Sequence, residues 1–336
     1  MKSHRVAITG VSGDVGYGAV KGLRVGYPLT DILGLDSSYD RAAYSLCDRY
    51  EVMPRVDSDA YVSSLKSALS KHKIELLIPG IDSELEILSK NREEIERDTQ
   101  ASILLCDENS LLKCVDKYET AVWLHELGLP ALHTINSSDI PDTEREEFVL
   151  NEFQGEFPIV IKPRKGHGSV GIRYVETIDE LKCHLQTLAL DDCLQEYVDG
   201  DEITCGLLFD QQGNLADSLA MKRTLENGRT VSASVYENSQ LDEYISLFAE
   251  KTKLIGPINL QLRINQAGQP RVFEINPRLS GSTLMRIAVG FNDPARIVEH
   301  FLDGLPIRRA NVKKSKVYRI DVTDVPGESE IRLESK

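Results

Sequence analysis

The strongest constraint on this chain is a strict alternation in its first third. "RVAIT" is apolar and β-branched, "GVSGDVGYGAVKGL" turns into a helix, and "DILGLD" is a second strand-like run ending on Asp36. "SDAYVSSLKSALSKHK" then places Tyr61, Leu65 and Leu69 on one helical face. "IELLIPG" reads as a buried strand stopped by Pro and Gly, "SELEILSKNREEIERD" as one amphipathic helix, and "SILLC" as another strand. Strands separated by helices cannot pair as hairpins. They predict a doubly wound parallel sheet, an α/β unit ending near residue 107.

The first turn of that unit, "ITGVSGDVGYG", has the spacing TG-x-x-G-x-x-G. A glycine turn between strand and helix lets the backbone approach an anion at a helix N-terminus. Asp36 stands where a nicotinamide enzyme holds its ribose hydroxyls. A short-chain reductase also needs Tyr-x-x-x-Lys, and the only such spacing, Tyr17–Lys21, lies inside the turn and its helix. The turn alone therefore leaves two readings open: an NAD-dependent reductase, or glycines that simply pack helix against strand.

Length and charge narrow the classes. A chain of 336 residues, 41% hydrophobic and 27% charged, is long enough for two or three domains with a large core. A formal charge of −14 argues against nucleic acid held by counterion release. No apolar stretch is long enough to span a bilayer, and "MKSHRVAITG" lacks the long apolar region of a signal peptide. Six cysteines are scattered, with neither C-x-x-C nor a His pair at zinc spacing. Reduced, mostly buried thiols and a cytoplasmic location are the expectation.

Past residue 107 the pattern changes. A helix is expected over 109–127, stopped by Gly128 with Pro130 just beyond, and residues 136–157 read as a polar, acidic surface excursion. "FPIVIKPRKGHGSVGIRYVE" reads strand, glycine turn, strand. Strand patterns continue at "CLQEYV", "EITCGLLFD", "LADSLAMKR", "INLQLRIN" and "PRVFEINPR", with one more in "SKVYRIDVTD". The rest of the chain is thus mixed α+β with antiparallel hairpins.

This part carries the chemistry. Lys162 ends an apolar strand, where a rigid lysine can fix a phosphate. The loop 165–171 adds Lys165, Gly166, Gly168 and Ser169, with backbone N–H groups suited to a triphosphate. His167 in that loop is either an ordinary loop residue or a phosphate contact. Gln195, Glu196, Tyr197 and Val198 form a linker whose backbone can pair with an adenine edge, and Glu202 can accept from ribose hydroxyls. Gln261 lies on one strand and Glu274 and Asn276 on the next, on one face. Three oxygen donors there suit Mg²⁺. Arg278, two residues on, can offset charge on a transferring phosphoryl group. Lys222, Arg223 and Arg229 flank an "ENG" turn: either a solvated charged hairpin or a set of cations for an acyl carboxylate or acyl phosphate.

In this order and spacing, the motifs resemble the ATP-grasp superfamily, and "VFEINPRLSGST" is most similar to the synthetase unit of the carbamoyl-phosphate synthetase large subunit. The resemblance covers almost the whole chain. It implies a pre-ATP-grasp, Rossmann-like domain at 1–107, two ATP-grasp lobes at 108–198 and 199–310, and a C-terminal strand and tail at 311–336. It implies ATP with Mg²⁺, or Mn²⁺ in its place. Lys117 and Lys162 would contact phosphates beneath the glycine loop. Glu196 and Val198 would hold adenine, Glu202 ribose, and Gln261, Glu274 and Asn276 the metal. Arg278, Lys222 and Arg223 become the expected catalytic cations. Gly10, Ser12, Gly13, Arg229 and Ser280 are expected on the acyl substrate, with the free N–H groups of the first turn facing it.

The implied reaction makes an acyl phosphate from a carboxylate and ATP. An amine then displaces phosphate, leaving ADP and phosphate as by-products. Partners are small-molecule carboxylate and amine substrates, in an enzyme expected to be cytoplasmic and a homodimer. The sequence departs from the synthetase in being one short copy with no glutaminase-type Cys/His segment. The acid therefore stays open, bicarbonate included. A nucleotide-binding regulator without catalysis and an NAD-dependent reductase are the competing classes.

Overall fold

The computed structural model describes residues 3–38, 45–166, 168, 170–226 and 228–319. Its first sheet contains β1 (Arg5–Thr9), β2 (Asp31–Asp36), β3 (Arg49–Val52), β4 (Leu76–Ile78) and β5 (Ser102–Ile103), in the order β3-β2-β1-β4-β5. All pairings are parallel, as the alternation requires. Helices α1 (Asp14–Gly26), α2 (Tyr61–His72), α3 (Leu85–Lys90) and α4 (Arg92–Thr99) cross between them. β1 has β2 on one side and β4 on the other, so the chain reverses its winding there. That reversal opens a crevice at the carboxyl ends of the strands.

The glycines of the first turn have a packing explanation. Gly10 has φ +55°, and a Cβ there would lie 2.6 Å from the Ile81 side chain. A Cβ on Gly16 would lie 2.3 Å from Gly10 O. The turn thus lets α1 start directly against β1 and the end of β4.

Two expected helices are broken. Asn91 interrupts 85–99, where its backbone N–H and its side chain both donate to Ile87 O. Asp116 divides 109–127 into α5 (Glu108–Val115) and α6 (Lys117–Glu126), and its carboxylate caps α6 by accepting from Tyr118 N and Glu119 N. The expected excursion at 136–157 contains a helix, α7 (Arg145–Glu152).

The second sheet is antiparallel: β6 (Thr134–Asn136), β7 (Ile159–Pro163), β8 (Arg173–Val175) and β9 (Asp192–Glu196), ordered β6-β9-β7-β8 and covered by α7 and α8 (Ile178–Leu185). The third contains β10 (Asp201–Phe209), β11 (Leu215–Glu226), β12 (Arg229–Val235), β13 (Gly256–Ile264), β14 (Pro270–Asn276) and β15 (Lys316–Tyr318). Its order is β14-β13-β10-β11-β12-β15. α9 (Ser239–Thr252), α10 (Thr283–Ala288) and α11 (Asp293–Asp303) complete it. Residues of "SKVYRIDVTD" beyond Arg319 lie outside the described residues.

The cores explain how these pieces are arranged. The first unit and the third sheet share their cores through the helices between them: Leu33, Leu65 and Leu77 are in one cluster with Ile203, Phe248 and Leu262. Ile8, Val20 and Leu23 share another with Leu219, Phe291 and Val298. The second sheet has its own core of Ile135, Val149, Ile159, Leu181 and Leu194. It is therefore a separate layer facing the third sheet, and a cleft lies between them.

Candidate active site

Lys162 sits at the floor of that cleft. Strand β7 carries it into the protein, where it is 4% exposed. Its Nζ donates to Gln195 Oε1 at 2.7 Å and lies 5.7 Å from the Phe273 ring centre. Burial lowers its pKa to about 8, although Cys193 and Glu274 pull it up. A buried ammonium with so few partners is poised to pair with an anion. Lys117, at the start of α6, reaches the same cleft and donates to Gly166 O at 3.0 Å. Its backbone is held by Arg164, whose guanidinium binds Asp116 and Glu119.

The glycine loop covers one side. Gly166 and Gly168 line the cleft, and Lys165 lines it while pairing with Glu86 of α3 at 2.7 Å. Ser169 and His167 lie outside the described residues. The 195–198 linker lines the opposite side. The Glu196 carboxylate accepts from His133 N and from Arg271, and Arg263 stacks 5.0 Å from the Tyr197 ring centre. Glu202 is gripped by Arg223 and Arg263.

On the third sheet the register sets Gln261 opposite Glu274, with Asn276 opposite Asn259. Gln261 and Glu274 line the cleft. Asn276 is buried, its Nδ2 without a hydrogen-bond partner among the described residues. Among the described residues its Oδ1 accepts only from Arg278, at 3.3 Å. One carboxylate and two amide oxygens on neighbouring strands are hard donors. Gln261 Oε1 accepts from Arg223 at 2.5 Å, so a Mg²⁺ sharing its shell with phosphates would take Glu274 first, and the two amide oxygens once they turn from their arginines. Among the described residues no three His, Cys, Asp or Glu side chains gather as a metal-ligand group, so a metal here would need the amide oxygens beside Glu274.

A second cleft, about 770 Å³, lies between the first and third sheets. Gly168, Arg223 and Gln261 line both clefts, so the two meet there. Gly10, Ser12, Gly13, Arg229, Arg278 and Ser280 all line the second. Arg278 is 9% exposed and donates to both oxygens of Asp82 at 2.6 Å. Arg229 and Arg319 both bind Asp14 at the start of α1. Burial raises the Asp14 pKa, but the hydrogen bond from Arg229 and the charges of Arg319 and Arg229 outweigh it, and the net shift is downward.

Two expectations need correction. Lys222 lines neither cleft; it is half exposed and pairs with Asp201 at 2.6 Å. It neighbours Arg223 on β11, and adjacent strand residues point to opposite faces, so only Arg223 is turned inward. The N–H groups of Ser12 and Gly13 are not free either. Gly13 N donates to Gly10 O at 2.9 Å, and Ser12 N donates to Asp36 Oδ2 at 2.9 Å. Asp82, Asp14 and Arg319 were missed, because no spacing ties them to the other motifs.

Residues 191–326 match the family described as ATP-grasp in the biosynthetic pathway with Ter operon, and residues 18–102 match the PylC-like, N-terminal domain. The chain's 191–326 region is an ATP-grasp region. Among curated ATP-grasp relatives, the chain is 23% identical to carbamoyl-phosphate synthase of Methanobrevibacter smithii over 175 residues, 52% of this chain and 44% of that one. It is 32% identical to D-alanine–D-alanine ligase of Bacillus anthracis over 157 residues, 46% of each. It spans about half the length of the curated relatives it matches. Among solved structures, N5-carboxyaminoimidazole synthetase of Staphylococcus aureus in complex with ADP superposes with a TM-score of 0.73 at 13% identity, over 93% of this chain and 81% of that one. The biotin carboxylase domain of Hydrogenobacter thermophilus 2-oxoglutarate carboxylase, with MgADP and bicarbonate, gives 0.67 at 13% identity over 88% and 70%. These likenesses carry the fold. No helix among the described residues is long and apolar enough to cross a membrane.

Proposed function

We propose that this chain is an ATP-dependent carboxylate–amine ligase that works through an acyl phosphate. One observation carries the reading. A cleft with the buried Lys162, the glycine loop and the Gln261–Glu274 strand pair opens into a second, cationic cleft through Arg223 and Gln261. A nucleotide in the first cleft would direct its terminal phosphate toward an acid in the second.

The division of labour follows the sheets. Residues 1–107 supply one wall of the acid cleft, 108–198 hold the nucleotide from above, and 199–310 supply the metal donors and the arginines. The 195–198 linker meets adenine and Glu202 the ribose. Gln261, Glu274 and Asn276 would hold Mg²⁺, which neutralises phosphate charge when bound. Lys162 and Lys117 bind phosphate oxygens. Arg278 and Arg223 hold the carboxylate and the developing charge. A carboxylate oxygen attacks the γ-phosphorus, and the bond to the ADP oxygen breaks. The amine nitrogen then attacks the acyl carbon, phosphate leaves, and the amine proton passes to solvent. Catalysis of this kind is positioning and charge neutralisation, and it needs no side-chain nucleophile. Burial pushes the Cys106 and Cys205 thiols up to about 12, which keeps them protonated and out of the chemistry, while Cys183 is exposed.

The test is purified protein with ATP, Mg²⁺, hydroxylamine and pools of carboxylic acids. ADP and a hydroxamate are expected together with at least one acid. Neither product with any acid overturns the reading. ADP release that depends on bicarbonate alone replaces it with bicarbonate activation.

A further inference from the structure

A third cavity, of about 380 Å³, continues from the acid cleft along the carboxyl ends of β1, β2, β3 and β4. Asp36, Ser37 and Ile81 line both, so the two spaces are joined. The three cavities therefore run in series: nucleotide, charged centre, and this third space. Nothing in the proposed chemistry uses the third.

Its wall is apolar. Leu35, Met53, Pro54, Val56, Ile81 and Ile87 supply it. Ser83 lines it too, and so do Thr9 and Tyr61, whose hydroxyls are engaged elsewhere. Thr9 Oγ1 and Tyr61 OH both donate to the fully buried Glu84, which also accepts from Gly80 N and Ile81 N. What Thr9 and Tyr61 offer the cavity is carbon. Arg55 and Asp57 pair with each other at the rim.

The junction is different. Asp36 accepts from Ser12 N and Ser37 N, and no cation pairs with it among the described residues. Every carboxylate facing it across the acid cleft, Asp14 and Asp82, already has an arginine. A carboxylate held only by neutral donors at the mouth of an apolar pocket selects a cationic group attached to an apolar one. Beyond it lie Arg229, Arg278 and Arg319, whose charges favour an anion. The sequence of environments is apolar, negative, positive.

We propose that this space binds an amino acid with an apolar side chain: the side chain fills the third cavity, Asp36 holds the ammonium group, and the carboxyl group projects to the arginines. The binding mode stands on the cavity; that this carboxyl is the one activated rests on the ligase reading. The two are separable by experiment.

Calorimetric titration of the full chain with leucine, phenylalanine and methionine, both enantiomers of each, reads the cavity without turnover. At least one is expected to bind at least tenfold more tightly than aspartate and lysine. 4-Methylpentanoate, which is leucine without its ammonium, is expected to bind at least tenfold more weakly than leucine. Val56→Trp should move preference at least tenfold from phenylalanine toward alanine, with the melting curve confirming that the variant is folded. Equal affinity for apolar and charged amino acids overturns the proposal, as does equal affinity for leucine and 4-methylpentanoate. Because the ligand panel needs no variant, a Val56→Trp protein that does not fold leaves the test intact. Mg-ADP is titrated in parallel. Its failure to bind overturns the ligase reading alone, and failure of every apolar amino acid with Mg-ADP bound overturns this proposal alone.

Discussion

Arg278 and Asp82 tie the third sheet to the first. Two hydrogen bonds of 2.6 Å run from the guanidinium beyond β14 to the carboxylate in the turn after β4. This pair fixes the direction from which Arg278 meets the acid cleft. Arg278→Met is expected to lower kcat by about 100- to 1,000-fold, as for other preorganised charge stabilisers. Asp82→Asn keeps the shape but loosens the aim, and should cost about tenfold in kcat with little change in the affinity for ADP. Steady-state kinetics with nucleotide titration separates the two. Equal loss of ADP affinity would place Arg278 in nucleotide binding instead.

Lys162 gives a pH signature. Its folded pKa, about 8, lies below the ordinary lysine value of 10.5, chiefly through burial. Between those values the unfolded chain binds more protons, so stability rises with pH across that window. Nucleotide phosphates restore the charge, so binding takes up a proton there. ADP affinity should therefore fall above pH 8, by up to about tenfold per pH unit. Calorimetry in buffers of different ionisation enthalpy reads the proton directly. Lys162→Met should abolish both the uptake and the slope.

The neighbours Lys222 and Arg223 offer an internal control. Lys222→Ala removes an exposed pair with Asp201 and should stay within about twofold of normal turnover. Arg223→Ala removes the group that grips Glu202 and Gln261 and should lower kcat/KM at least about tenfold. Comparable losses in both would mean that the strand faces are assigned the wrong way round.

Metal dependence tests the strand pair. Glu274→Ala should lower turnover about 100-fold and raise the Mg²⁺ concentration needed for half-maximal rate. Asn276→Ala should do so more mildly, since it removes a neutral donor. Circular dichroism checks that both remain folded. Normal Mg²⁺ dependence in both would remove these residues from the metal site.

Much of this was legible in the chain because local chemistry dictates it. Apolar runs such as "RVAIT" and "DILGLD" became parallel strands, and the paired strands carrying Gln261 and Glu274 came out in register. What escaped was of two kinds. Breaks at Asn91 and Asp116 depend on side chains competing for backbone groups, and a periodicity count does not register that competition. The partners Asp82, Asp14 and Arg319 meet the site only through tertiary folding; Asp14 sits in the glycine turn itself, but the spacing of the glycines does not say which arginines will reach it. The first turn shows the opposite error. Its glycine spacing suggested a dinucleotide, yet Gly10 and Gly16 answer to contacts with Ile81 and with each other.

The short segment after β4 serves all three spaces. Asp82 reaches Arg278, Glu84 is buried under Thr9 and Tyr61, and Glu86 reaches Lys165 of the glycine loop. Three alternate carboxylates thus serve the acid cleft, the apolar cavity and the nucleotide cleft in turn. Their spacing cannot drift during evolution. Inserting or deleting one residue at 83 would misplace the downstream carboxylates together, so this stretch should tolerate conservative swaps but not a change of length.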